Sequence, residues 1–170
     1  MDTYLAVASR RDERRYADRP IPDEVVERIL DAGRLAGSAV NRQPWRFFVV
    51  DDPAVRDRLA ETVYAPANVR TATLVVAIAV AGKGPTSFDA GRAAQNMLLV
   101  AWNEGLASCP NGMPDPEATG RLLGVEDDER PVIVLTFGWP LKEWSPERRS
   151  AEEWSARANR KPLGEVVVRS

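Results

Sequence analysis

Histidine is absent from this chain of 170 residues, and cysteine occurs once, as Cys109. The first absence removes histidine triads, imidazole proton shuttles and the usual zinc and non-haem iron ligand sets. The second removes an intrachain disulfide and any cysteine-pair metal site. It leaves Cys109 as a small apolar residue expected in the core of a protein from a reducing compartment. No metal-binding pattern remains. Charge of either sign is also in short surplus: 23 Lys and Arg face 25 Asp and Glu, for a net charge of -2 and a pI near 5.4. Such a balance leaves no broad positive field for nucleic acid. The longest apolar run, Thr73 to Ala81, is far too short to span a bilayer. The first residues show no signal-peptide pattern, so no membrane role and a cytoplasmic location are expected.

What is present fits one domain, residues 1–170, with enough chain for a sizeable core. Asp2 or Thr3 is placed to cap a short helix through Ala8. Ile21-Pro22-Asp23-Glu24 reads as a helix start, and Val25, Val26, Ile29, Leu30, Gly33 and Ala36 recur at helical spacing behind it. Arg46–Val50 predicts a strand, Pro53–Glu61 a helix, and Thr71–Ala81 a strand buried on both faces. Gly82–Thr86 is a turn-rich loop without Walker spacing. Ser87 or Asp89 is the candidate cap of a long apolar helix that runs to Glu104 and stops at Gly105. Leu106–Cys109 predicts a brief strand, Pro116–Leu123 a helix, and Pro131–Gly138 another buried strand. Leu163–Val168 predicts a terminal strand. Between these, Trp144 and Trp154 stand among charged residues and need a surface to cover them. Tryptophan and arginine are favoured at interfaces, so a partner subunit is expected to supply it.

Two regions carry candidate chemistry. The segment Gly37-Ser38-Ala39-Val40-Asn41-Arg42-Gln43-Pro44-Trp45 combines small, amide and cationic side chains around a proline turn, which suits gripping a polar ring without reactive groups. Basic clusters at the two ends of the chain, Arg10, Arg11, Arg14 and Arg15 upstream and Arg157, Arg160 and Lys161 downstream, suit an anionic group, because guanidinium forms forked, charge-assisted hydrogen bonds.

Four blocks in order, Arg10 to Tyr16, Gly37 to Trp45, Asp89-Ala90-Gly91 through Gln95-Asn96 to Gly105-Leu106, and Arg160-Lys161-Pro162-Leu163, resemble the nitroreductase family over nearly the whole chain. The resemblance implies an α+β fold with a mostly antiparallel central sheet flanked by helices, and FMN held at a homodimer interface, with the C-terminal strand exchanged between subunits. It further implies that Arg10, Arg11 and Arg14 meet the FMN phosphate and ribityl chain from one side and Arg160 and Lys161 from the other. Ser38, Ala39 and Val40 would cover the ring from the partner subunit, with Asn41 bonding its polar edge and Gln43 beside it. Pro110, Asn111, Gly112 and Met113 match the segment beside flavin N5, where backbone amides can stabilise charge without a titratable group. The implied activity is ping-pong transfer from NAD(P)H through FMN to a small acceptor of nitroaromatic, quinone or enone type, with the chemistry on the cofactor and no catalytic side chain. Gln95 and Asn96 are read as structural amides.

Asp12 departs from the serine of many members. An Arg-Arg-Asp pattern also occurs in flavin-fragmenting relatives that make dimethylbenzimidazole, so that branch and dehalogenation stay open as alternatives. A non-catalytic flavin-binding protein is the rival from a different class, since every motif concerns holding the cofactor. The short Gly82–Ser87 loop leaves little chain for a lid.

Overall fold

A computed structural model describes residues 1–169. In chain order the elements are α1 (Thr3–Ser9), β1 (Tyr16–Ala17), α2 (Asp23–Arg34), β2 (Trp45–Val49), α3 (Pro53–Ala60), α4 (Pro66–Thr71), β3 (Leu74–Ala81), α5 (Thr86–Asn103), β4 (Ala107–Asn111), α6 (Pro116–Leu123), β5 (Glu129–Pro140), α7 (Ala151–Ala156) and α8 (Leu163–Val166), with short 3-10 turns at Ala39–Asn41 and Pro146–Arg148. The strands form one antiparallel sheet in the order β1-β5-β3-β2, with β4 paired to β5.

Strand β3 is the axis of the core, and its alternation sorts two hydrophobic layers. Val76, Ile78 and Val80 face a layer built with α2 and α5, which adds Ile29, Ala93, Met97 and Leu98. Val75 and Ala77 face the other layer, with Leu59 from α3, Val69 from α4 and Val134 from β5. Burial on both faces is why the run from Leu74 reads as continuously apolar rather than alternating. Each buried Val, Leu, Ile or Met among them stabilises the fold by about 1.5–3 kcal/mol relative to exposure.

Local chemistry accounts for the ends. Asp2 caps α1, accepting from the N–H groups of Tyr4 and Leu5. Ile21 is buried before α2, and Asp52 caps α3 ahead of Pro53. Gly105, at φ 82°, stops the chain after α5 in the left-handed region that suits glycine.

Several expectations are corrected. Neither Ser87 nor Asp89 caps α5, which opens at Thr86 behind Pro85. Asp89 is buried and accepts instead from the N–H of Ala39 at 3.2 Å. Residues Pro66–Thr71 form a helix, and β3 begins only at Leu74. The proline sets the first turn and Ala72 returns to extended backbone. Gln95 is exposed, whereas Asn96 is half-buried and donates to Ala32 O at 3.1 Å.

The tail differs most. Leu163–Val166 is a single helical turn rather than a strand, closed by Glu165 N to Pro162 O and Val167 N to Leu163 O. A strand needs a neighbouring edge to pair with; among the described residues this segment pairs with none, and local bonds form instead. Nor do the tail tryptophans wait for a partner. Trp144 stacks on Trp102 with ring centres 4.2 Å apart, and Trp154 donates to Pro146 O at 2.8 Å beside the guanidinium groups of Arg11 and Arg149.

Candidate active site

Helix α1 ends at Ser9, whose buried hydroxyl accepts from Trp102 Nε1 at 2.9 Å, so the chain leaves the core at Arg10. The next residues lie along β4, with Glu13 N donating to Ser108 O at 3.1 Å. The Arg10 side chain is only 13% exposed and pairs with the Asp12 carboxylate at 2.7 Å. Its Nε is buried with no hydrogen-bond partner among the described residues. Arg11 donates to Ala8 O, Arg10 O and Trp154 O. Burial first, and then the charge of Arg160, pull the Arg11 pKa below its usual value. Cations from the two ends of the chain therefore repel one another here.

Arg14 is exposed, and Cys109 behind it is buried. Burial, followed by the Asp12 charge, raises the pKa of the Cys109 thiol, so Cys109 is a neutral core residue rather than a nucleophile. Lys161 is exposed next to Arg160.

At the far end of β4, Pro110, Gly112 and Met113 are half-buried, while the Asn111 side chain turns into the protein. Tyr64, which the sequence reading passed over, lies on this turn. Its N–H donates to Gly112 O at 3.1 Å, and a Cβ at Gly112 would meet the Tyr64 ring at 3.3 Å. The ring is nevertheless 74% exposed. A tyrosine between two short helices carries no pattern of its own; only the fold puts it beside Gly112.

The segment Ser38–Gln43 behaves differently. Val40 (φ 46°), Asn41 (φ 57°) and Gln43 (φ 50°) all occupy the left-handed region. For a β-branched residue such as Val40 that conformation is strained, at a cost on the order of 1–3 kcal/mol. The bend is held by Ser38 Oγ accepting from Gln43 N at 2.8 Å and by Asp89 accepting from Ala39 N. Arg42 donates to Lys83 O at 3.3 Å. Val40 stands 84% exposed at the apex. A cavity of about 380 Å³ beside this segment is lined by residues including Ala39, Gln43, Lys83 and Asp89, and by no member of the Arg10–Arg14 segment or the Gly112 turn.

Thus Arg10, Arg11, Asp12, Arg14 and Arg160 gather along β4 with Pro110–Met113, but Ser38, Ala39, Val40, Asn41 and Gln43 do not join them. In the sheet β4 and β2 are separated by β5 and β3, roughly 14 Å at about 4.8 Å per strand. Along β5, the stretch from Glu129, opposite Ala81 at the Pro44 end, to Phe137, opposite Ser108, spans roughly 26 Å at about 3.3 Å per residue.

The model of the nitroreductase family matches residues 7–85 and 84–139 of this chain. A relative from Archaeoglobus fulgidus, provisionally named NADH dehydrogenase/NAD(P)H nitroreductase, is 32% identical over 167 residues, covering 87% of this chain and 96% of that one. An NADH dehydrogenase of Thermus thermophilus is 27% identical, with 88% and 92% covered. Among solved structures, a Desulfovibrio desulfuricans protein in complex with FMN superimposes with a TM-score of 0.82 at 28% identity, covering 100% of this chain and 98% of that one. The 5,6-dimethylbenzimidazole synthase of Rhodospirillum rubrum matches at 51% identity, but only over 47 residues, which are 28% of this chain and 22% of that protein.

Proposed function

Because this chain belongs to the nitroreductase family, we propose that it is an FMN-dependent oxidoreductase that takes electrons from NAD(P)H and passes them, ping-pong, to a small nitroaromatic, quinone or enone, in a homodimer. The observation that carries the reading is the seat of the arginine segment on β4, where Arg10 lies 3.5 Å from Ser108 Oγ and Glu13 N donates to Ser108 O, with the Gly112 turn at the far end of the same strand. The residues fit the cofactor. Arg10 holds a buried Nε–H with no partner among the described residues, and Arg160 lies close enough to Arg11 for their charges to repel, a repulsion that a bound phosphate would offset. When bound, FMN would supply hydride transfer through its N5.

The chain's part is placement. Arg10, Arg11, Arg14 and Arg160, with Lys161, hold the phosphate end. The backbone of Pro110–Met113 meets the N5 edge, where a neutral donor stabilises developing charge at any pH. Ser38, Ala39, Val40, Asn41 and Gln43 close the ring from a second subunit, which is why one chain leaves them at the other end of its sheet. The exposed Val166, Val167 and Val168 and the free edge of β2 are where that subunit would gain further contact.

The Arg10–Asp12 pair favours the reductase reading over flavin fragmentation, because it directs the carboxylate to a guanidinium. The test is the absorbance spectrum of the purified protein, followed by anaerobic titration with NADH and with NADPH. The expected result is a yellow protein with about one FMN per chain, bleached by at least one donor and turning over with acceptor. A protein that took up no FMN on reconstitution would overturn the reading. A loaded protein that neither donor reduced would leave a flavin-binding role in its place.

A further inference from the structure

Behind the arginine segment runs a buried hydrogen-bonded chain. Asn111 is 4% exposed and its amide is fully engaged within the protein. Its Oδ1 accepts from Asn68 Nδ2 at 2.7 Å. Its Nδ2 lies 3.0 Å from Cys109 O, 3.2 Å from Val134 O and 3.1 Å from Thr136 Oγ1. The Thr136 hydroxyl, with no exposure at all, stands 2.8 Å from the Tyr16 hydroxyl, and Tyr16 also lies 2.9 Å from Glu13 O. The chain therefore passes from α4 through the end of β4 and the interior of β5 to the arginine segment.

We propose that Asn111 and Thr136 are positioning residues: their buried hydrogen bonds fix the Gly112–Met113 turn at a set spacing from Arg10 and Arg14, so that one rigid piece grips both ends of the same flavin. The inference rests on the proposed function and adds what holds the site's geometry. Asparagine suits the position chemically. It offers an acceptor to Asn68 and two N–H donors shared among three oxygens, whereas aspartate would bring no donor and leucine would leave its neighbours unmet. The next residue, Gly112, has no side chain of its own to anchor it and is tied at its carbonyl to the Tyr64 N–H. Removing the Asn111 amide would leave that tie to hold the turn. Removing the Thr136 hydroxyl would cut the side-chain link from Asn111 to Tyr16 while preserving side-chain shape.

A role in stability alone would lower the melting temperature and leave a folded, loaded site unchanged. Positioning would alter the flavin itself. The experiment loads wild type, Asn111→Ala and Thr136→Val with FMN and measures the affinity for sulfite, which adds at N5 and bleaches the oxidised band, together with the ratio of FMN to riboflavin affinities. In Thr136→Val, sulfite binding is expected to weaken and the FMN-to-riboflavin ratio to fall, each by about tenfold, the scale of leaving one buried polar group unmet. Asn111→Ala, where it folds, is expected to show at least as large a change. Thr136→Val alone decides if it does not. Sulfite affinity and ratio within about twofold of wild type in loaded Thr136→Val, whatever its melting temperature, would overturn the inference and leave the oxidoreductase reading standing. A wild type that bound no FMN would overturn both.

Discussion

The two halves of the proposed flavin cradle are built in opposite ways. The arginine half is an extension of the core: Ser9, Tyr16, Thr136 and Asn111 are buried and hydrogen-bonded beneath it, and Trp154 packs on Arg11. The Ser38–Gln43 half is an exposed loop, strained at Val40 and tied down by Ser38 and Asp89. The first would hold the phosphate of the proposed cofactor. The second holds a conformation with nothing in its own chain to cover. The difference is one of support: the first half rests on buried hydrogen bonds, the second on two bonds at its own base.

The largest expected effect comes from undermining the buried half. Trp102→Ala removes the stack under Trp144 and the donor to Ser9, so thermal unfolding should report a loss of about 3–5 kcal/mol. A loss under about 1 kcal/mol would show that the tail packs on something else. Arg10→Ala and Arg14→Ala should each weaken FMN by about 2 kcal/mol in a fluorescence titration. If both variants bind FMN as wild type does, the phosphate is not held on β4.

Alkaline pH probes the same half. Burial, ahead of every other cause, pushes the Tyr16 hydroxyl above its ordinary 10.0 and the Cys109 thiol above 9.0. Both bind their protons more tightly in the folded state, so their contribution is intact below those ordinary values and is lost as pH rises past them. Melting temperature should fall from pH 9 upward, and Tyr16→Phe should flatten that decline while costing about 1 kcal/mol near neutrality. Equal alkaline slopes in the two proteins would remove Tyr16 from the account.

The smallest effects concern charge and strain at the two binding ends. Asp12→Ser frees Arg10 and removes a like charge from the phosphate site, so FMN should tighten by about 1 kcal/mol. An aerobic reaction analysed by chromatography separates the alternatives: dimethylbenzimidazole made by wild type and not by the serine variant would move the protein to the flavin-fragmenting branch. Val40→Gly should relieve the loop by about 1 kcal/mol in the melting temperature of the free protein. That gain should disappear in the FMN-loaded dimer if Val40 contacts the ring there.

Much of both halves could be read from the chain alone. The apolar run of β3, the capped start of α1, the Pro22-Asp23-Glu24 opening of α2 and the Gly105 stop are local, because propensity, periodicity and capping act over a few residues. The cradle's residue types were legible for the same reason: arginines suit phosphate wherever they sit. Tyr64 was not, since an exposed tyrosine in a turn carries no periodic signal, and only the contact with Gly112 distinguishes it. Asp89 was misassigned as a cap because its service to Ala39 crosses 50 positions of sequence. Asn111 read as part of the cofactor segment, yet its side chain is spent on Asn68, Val134 and Thr136, none of them adjacent in the chain.

By itself, then, the sequence determined the two-sided burial of the central strand and where its helices begin and end, which follow from side-chain type and short spacing, while the class of fold was legible through the family resemblance. Tertiary structure alone decided that the tail tryptophans are covered within the chain, that Leu163–Val166 closes as a helical turn, and that the arginines and the Ser38 loop stand at opposite ends of one sheet. Those outcomes depend on which surfaces and strand edges lie within reach after the chain has folded back on itself, and no local pattern carries that information.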